Sequence, residues 1–201
     1  MDFYAELVKR SLAGELSLAH AQLFNLDEYC GLPAADPHSY AAFLHQHLVT
    51  PLHLPQSQVR LLRGDAADLE AECRAYDAVL DACGGIDLCV LGLGTNGHIA
   101  FNEPGCTWDR RTHIVDLSHF IRAEHQRQAT SAWEIPSRGI TMGIHDLLAA
   151  RQILLLISGV RKQAAAAALY RGVADLNWPV TCLLDHPRVT VIELCAPGES
   201  P

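Results

Sequence analysis

In the stretch Leu91–Gly105, LGLGTNGHIAFNEPG, an apolar run ends in glycines and then delivers two amides, an imidazole and a carboxylate: Asn96, His98, Asn102 and Glu103. His98 titrates near neutrality and can pass protons. Glu103 is of the type that orients and polarises such a ring. Gly92, Gly94 and Gly97 let the backbone turn tightly and approach a ligand. The bland alternative is a histidine capping a turn, with Glu103 on the surface. A second acidic site, FNLDEYCGLP, places Asp27 and Glu28 just after a candidate strand. A part-buried aspartate there is a candidate general base, and the alternative is a turn or helix cap. Two cations could hold an anion. Lys162, in SGVRKQ, follows an apolar strand and opens a helix, where backbone N–H groups and a lysine together favour phosphate. Arg127 lies on a polar helix, where the alternative is a solvated face.

Other chemistries find little support. GLGTNG matches GxGxxG literally, but no helix clearly follows it and no early acidic ribose partner stands out. There is no P-loop, HExxH or GxSxG. His45 with His47, or His113 with His119, lack flanking ligands at metal spacing, so no metal is expected. Lysine plus arginine is 15 and aspartate plus glutamate 23, a net charge of −8 that argues against nucleic acid and anionic membranes as partners. An anionic small substrate stays open, since a pocket can be locally basic. Seven scattered cysteines, an odd number without CxxC, read as reduced thiols. No signal peptide opens the chain and no apolar window of about 18 residues exists, so the expected location is the cytoplasm.

These residues need elements to position them. Phe3, Tyr4, Leu7, Val8 and Leu12 recur at helical spacing. Residues 21–26 read as a strand and 27–37 as a loop, followed by a helix capped by Asp36, with Pro37 in its first turn, to about His47. Residues 59–62 suit a strand, and Asp65 or Asp68 caps a helix to about Ala82. IDLCVLGL (86–93) is nearly all apolar, as a strand covered on both faces requires. Further strands are expected at 113–117, 139–143, 152–158 and 188–194, and helices at 122–133, 145–150 and 160–171, with 195–201 as a frayed tail. Strands alternating with helices predict a three-layer α/β/α, Rossmann-like doubly wound fold with a mostly parallel sheet. At 201 residues, 49% apolar, the chain is expected to form a single domain over 1–201. In such sheets ligands sit beyond the carboxyl ends of strands, where GLGTNGHIAFNEPG begins.

The motifs FNLDEYCGLP, GLGTNGHIAFNEPG and SGVRKQ, in this order, resemble those of glucosamine-6-phosphate deaminases, and the resemblance runs from about residue 3 to residue 195. HIAFNEP favours this branch over the related 6-phosphogluconolactonases. The resemblance implies a cofactor-free aldose–ketose isomerisation in which glucosamine 6-phosphate and water give fructose 6-phosphate and ammonia. It makes Asp27 the base that moves a proton between C2 and C1, His98 the group assisting ring opening, and Glu103 and Asn96 its supports. Lys162 and Arg127 would grip the phosphate of an amino-sugar phosphate substrate. It also implies a strand and a glycine- and threonine-rich phosphate loop ahead of the helix at 3–12. The chain starts at Met1, at that helix, so it is expected to be N-terminally truncated relative to the family, with full activity in question. His113 and Val115 stand where activator-binding basic residues occur in some members, which predicts weak or absent activation. A homo-oligomer is left open. The rival expectations are a lactonase-like hydrolase and a non-catalytic sugar-phosphate-binding remnant.

Overall fold

The computed structural model describes residues 2–128 and 133–194. In chain order the elements are helix α1 (Asp2–Leu12), strands β1 (Leu23–Phe24) and β2 (Asp27–Tyr29), helix α2 (Tyr40–Leu44), β3 (Val59–Arg60), α3 (Leu69–Ala82), β4 (Cys89–Gly92), β5 (His113–Asp116), α4 (His119–Gln128), β6 (Arg138–Thr141), α5 (Ile144–Leu148), β7 (Ile153–Ser158), α6 (Gln163–Tyr170) and β8 (Val189–Leu194). The chain divides into two compact units, one of residues 1–76 and 114–140, the other of 77–113 and 141–201.

In the first unit β1 and β3 pair in parallel, Leu23 opposite Val59. A second group of strands has the order β2-β6-β5. Strand β2 falls inside the stretch expected to be loop. It is three residues long, too short for an alternating pattern to show, and its continuation is held where Cys30 N–H donates to Arg138 O at 3.0 Å. The helix after it is capped differently from expectation. Ser39, not Asp36, is the cap: its Oγ accepts from Ala42 N–H at 2.9 Å, while Asp36 accepts from His38 instead. Asp68 caps α3 by accepting from Ala71 N–H. The expected helix over 122–133 is α4, and its last residues lie partly outside the described ones, as does the tail expected at 195–201.

In the second unit β7 lies between β4 and β8 and pairs with both in parallel, Leu155 opposite Leu91 and Val191. Parallel strands covered on their faces are read from apolar runs rather than from alternation. Ile153, Leu155 and Ile157 are buried, with Leu154 and Leu156 half-buried on the other face. β8 is more exposed, as an edge strand is. The α/β class and parallel pairing are those the sequence predicts. The 3-10 turn Pro179–Asp185 was not anticipated.

Candidate active site

Asp27 opens β2 and is half-buried. Burial first, and the neighbouring Glu28 carboxylate second, push its carboxyl up to about 7. A carboxylate that titrates there is matched to proton transfer near neutral pH. Glu28 has a different duty. It is 1% exposed, and its Oε1 accepts from Tyr29 N–H (2.8 Å) and Tyr40 N–H (3.1 Å), while Oε2 accepts from Ala41 N–H (2.8 Å). It therefore ties the first turn of α2 to β2, satisfying donors that a helix start leaves open. Tyr29 stacks on Tyr40 with ring centroids 5.3 Å apart, and its hydroxyl meets His125 Nδ1 at 2.5 Å. Arg127 is exposed at the end of α4, paired with the buried Glu124 carboxylate at 3.2 Å.

The second unit holds Asn96, His98, Glu103 and Lys162. Asn96 Oδ1 accepts from the His98 backbone N–H at 3.2 Å and lies 2.7 Å from His98 Nδ1. A backbone N–H can only donate, so the atom facing it is oxygen, and that oxygen requires a proton on Nδ1. In the neutral ring Nε2 then carries the lone pair. Gly94 makes room for this ring. A Cβ there would lie 2.1 Å from His98 Nδ1 and 2.2 Å from Cε1. Asn102 is fully buried and donates through Nδ2 to Ile99 O and Met142 O, and half-buried Glu103 follows it. Asn102 Oδ1 is buried with no partner. Lys162 ends a 3-10 turn after β7 and occupies the cap position of α6 rather than its first turn. Asn96 and His98 are thus brought into contact. Asp27 and Arg127 belong to the first unit and the other four residues to the second.

The profile of the family described as glucosamine-6-phosphate isomerases/6-phosphogluconolactonase matches residues 1–192. The chain belongs to that family. It is similar to the glucosamine-6-phosphate deaminases of Lysinibacillus sphaericus (strain C3-41), at 45% identity over 94% of this chain and 80% of that protein, and of Shouchella clausii (strain KSM-K16), at 42% over 94% and 76%. Among solved structures, a monomeric glucosamine-6-phosphate deaminase superposes with a TM-score of 0.91 at 38% identity, covering 95% of this chain and 79% of that one. The 6-phosphogluconolactonase from Thermotoga maritima gives 0.72 at 20% identity, over 94% and 78%, which is likeness of fold alone.

For this isomerase/lactonase family member, sequence reasoning missed three contributors. Glu28 was grouped with Asp27, although its three bonds are structural. Asn102 stood out beside Glu103 but was given no role. Trp178, which packs on Gly97, had only its following Pro179 as a signal of a turn start. Among the described residues, no group of three or more His, Cys, Asp or Glu could hold a metal ion, and no helix is long and apolar enough to cross a membrane.

Proposed function

We propose that the chain is a glucosamine-6-phosphate deaminase, acting in the cytoplasm on an amino-sugar phosphate and converting glucosamine 6-phosphate and water to fructose 6-phosphate and ammonia. The observation that carries this reading is the imidazole of His98, held as the Nδ1–H tautomer by Asn96 in space that only a glycine at position 94 leaves. The deaminases named among the relatives support it.

Opening the pyranose needs a proton taken from the C1 hydroxyl and one given to the ring oxygen, work suited to Nε2 of a ring whose other nitrogen is fixed. Asn96 orients this ring without sharing its charge, and Glu103 is assigned its electrostatic support. Asp27 then takes the C2 proton of the open aldehyde and returns it to C1. The intermediate is an enolamine, which becomes an imine at C2. Water adds there and ammonia leaves, so the overall change consumes one water and needs no redox partner. A base near 7 is strong enough to attack a carbon acid and still ionised in useful amount at neutral pH. Lys162 and Arg127 are assigned to the phosphate, as cations paired with a dianion.

His98→Gln tests the reading, since it keeps a polar side chain of similar reach and removes titration. The kcat for ammonia release is expected to fall by roughly 100-fold or more. A His98→Gln protein with unchanged kcat would overturn the role. Hydrolysis of 6-phosphogluconolactone without ammonia release from the amino sugar would replace the deaminase reading by a lactonase.

A further inference from the structure

The loop Gly94–Gly105 carries Asn96, His98 and Glu103, yet much of it is irregular backbone. Gly97 has φ +82° and Ala100 φ +50°. Such conformations persist where the surroundings fix them. One neighbour, the segment Asp175–Asp185, meets the loop at two points. Val180 N–H donates to Gly97 O at 2.9 Å, and Gly105 N–H donates to Leu176 O at 2.8 Å. Between them the Trp178 indole covers Gly97 so closely that a Cβ there would lie 2.9 Å from Cε3.

The segment is itself braced. Thr181, fully buried, accepts from Asp175 N–H at 2.8 Å through Oγ1, which also lies 2.7 Å from Trp178 O and 3.0 Å from Asp175 O as acceptors. Asp175 Oδ1 accepts from Asn177 N–H. The turn that follows packs on α5 and α6, and its Val180 and Cys182 are fully buried. A rigid footing is therefore joined to the loop on both sides of His98, at residues 97 and 105.

We infer that Trp178, braced by Thr181, is a positioning residue of the site: it clamps the Gly97 turn and so fixes the direction in which His98 presents Nε2. This rests on the deaminase reading for its kinetic consequence, though not for its structural one. Trp178 acts through His98. Its loss lowers the turnover of bound substrate more than it weakens binding, because a small misplacement of a proton-transfer group acts on the chemical step.

The test uses Trp178→Ala, Trp178→Phe and Thr181→Val in the full chain. The readouts are kcat and KM for ammonia release and the 15N-detected tautomer of His98. Trp178→Ala is expected to lower kcat roughly tenfold with KM changed by less than about threefold, and to turn the Nδ1–H signal of His98 into a tautomer average. Trp178→Phe is expected to restore both, and Thr181→Val to give a milder form of the same pattern. A folded Trp178→Ala with wild-type kcat and an unchanged His98 signal would overturn the inference, as would a loss that Phe leaves unrescued. If Trp178→Ala does not fold, Thr181→Val decides by the same two readouts. A wild-type chain without ammonia release would sink the deaminase reading, and the His98 signal would still judge the clamp.

Discussion

At its finest scale the proposed chemistry depends on two single residues, Gly94 and Asp27. Gly94 is required by the ring beside it and not by its own backbone angles, because any side chain would enter the volume of His98. Gly94→Ala is therefore expected to push the imidazole off Asn96 and to cut kcat for ammonia release by roughly 100-fold, with the far-ultraviolet circular dichroism unchanged. A variant within threefold of wild type would refute this. Asp27 makes a prediction about stability. Its carboxyl sits near 7 in the fold against an ordinary value of 3.8, so between those values the folded chain holds a proton that the unfolded chain has lost. The group thus favours the fold at low pH, and that contribution fades as pH rises from about 4 to 7. Asp27→Asn removes the loss. Its melting temperature should exceed that of wild type at pH 8, by the equivalent of up to about 4 kcal/mol, and the gain should vanish near pH 4. A gain equal at both pH values would show that Asp27 is not held in this state.

At the scale of elements, Glu28 shows how a short helix is stabilised from outside. α2 has five residues and runs straight on into a π-helical turn, His45–Val49, still too short a helix to persist by itself, and its first N–H groups are taken by Glu28 and Ser39. Glu28→Ala should destabilise the chain by about 2–4 kcal/mol in urea melts, since it orphans three donors at once. A cost below about 0.5 kcal/mol would mean that water replaces the carboxylate. This clamp also marks the limit of what the sequence discloses. β4 and β7 are legible because continuous apolar runs have one natural home, a covered parallel strand. β5 follows its expected position closely. β2 is not legible, because three residues of Asp-Glu-Tyr carry no period and owe their pairing to distant partners. The same holds for the cap of α2. Asp36-Pro37 is a good local start signal, but Glu28, twelve residues before Tyr40, moves the start to Ser39. In the site, the types and spacing of Asn96, His98 and Glu103 could be read directly. The glycine beside the ring and the clamp of Trp178 could not, since both are contacts across turns.

At the scale of the whole molecule, a chain of net charge −8 has to meet a phosphorylated sugar with local positive charge. Lys162 and Arg127 are assigned that task unequally, because Lys162 stands half-buried between the end of β7 and the start of α6, where a helix start adds backbone N–H groups, whereas Arg127 lies exposed at the end of α4. Lys162→Ala is expected to raise KM for glucosamine 6-phosphate roughly tenfold, and Arg127→Ala by less, with kcat moved less than KM in both. Equal effects would assign them equal shares. Family membership and the 0.91 superposition give the fold, and the deaminase relatives give the substrate class to try. The central claim is that this chain removes ammonia from an amino-sugar phosphate with Asp27 as the carbon base. The measurement that tests it most directly is ammonia release from glucosamine 6-phosphate, matched against fructose 6-phosphate formed, for wild type and Asp27→Asn. The account predicts equal amounts of the two products from wild type and about 1% or less of that rate from the variant. A folded wild-type chain that releases no ammonia, or an Asp27→Asn variant that works as fast as wild type, would contradict it.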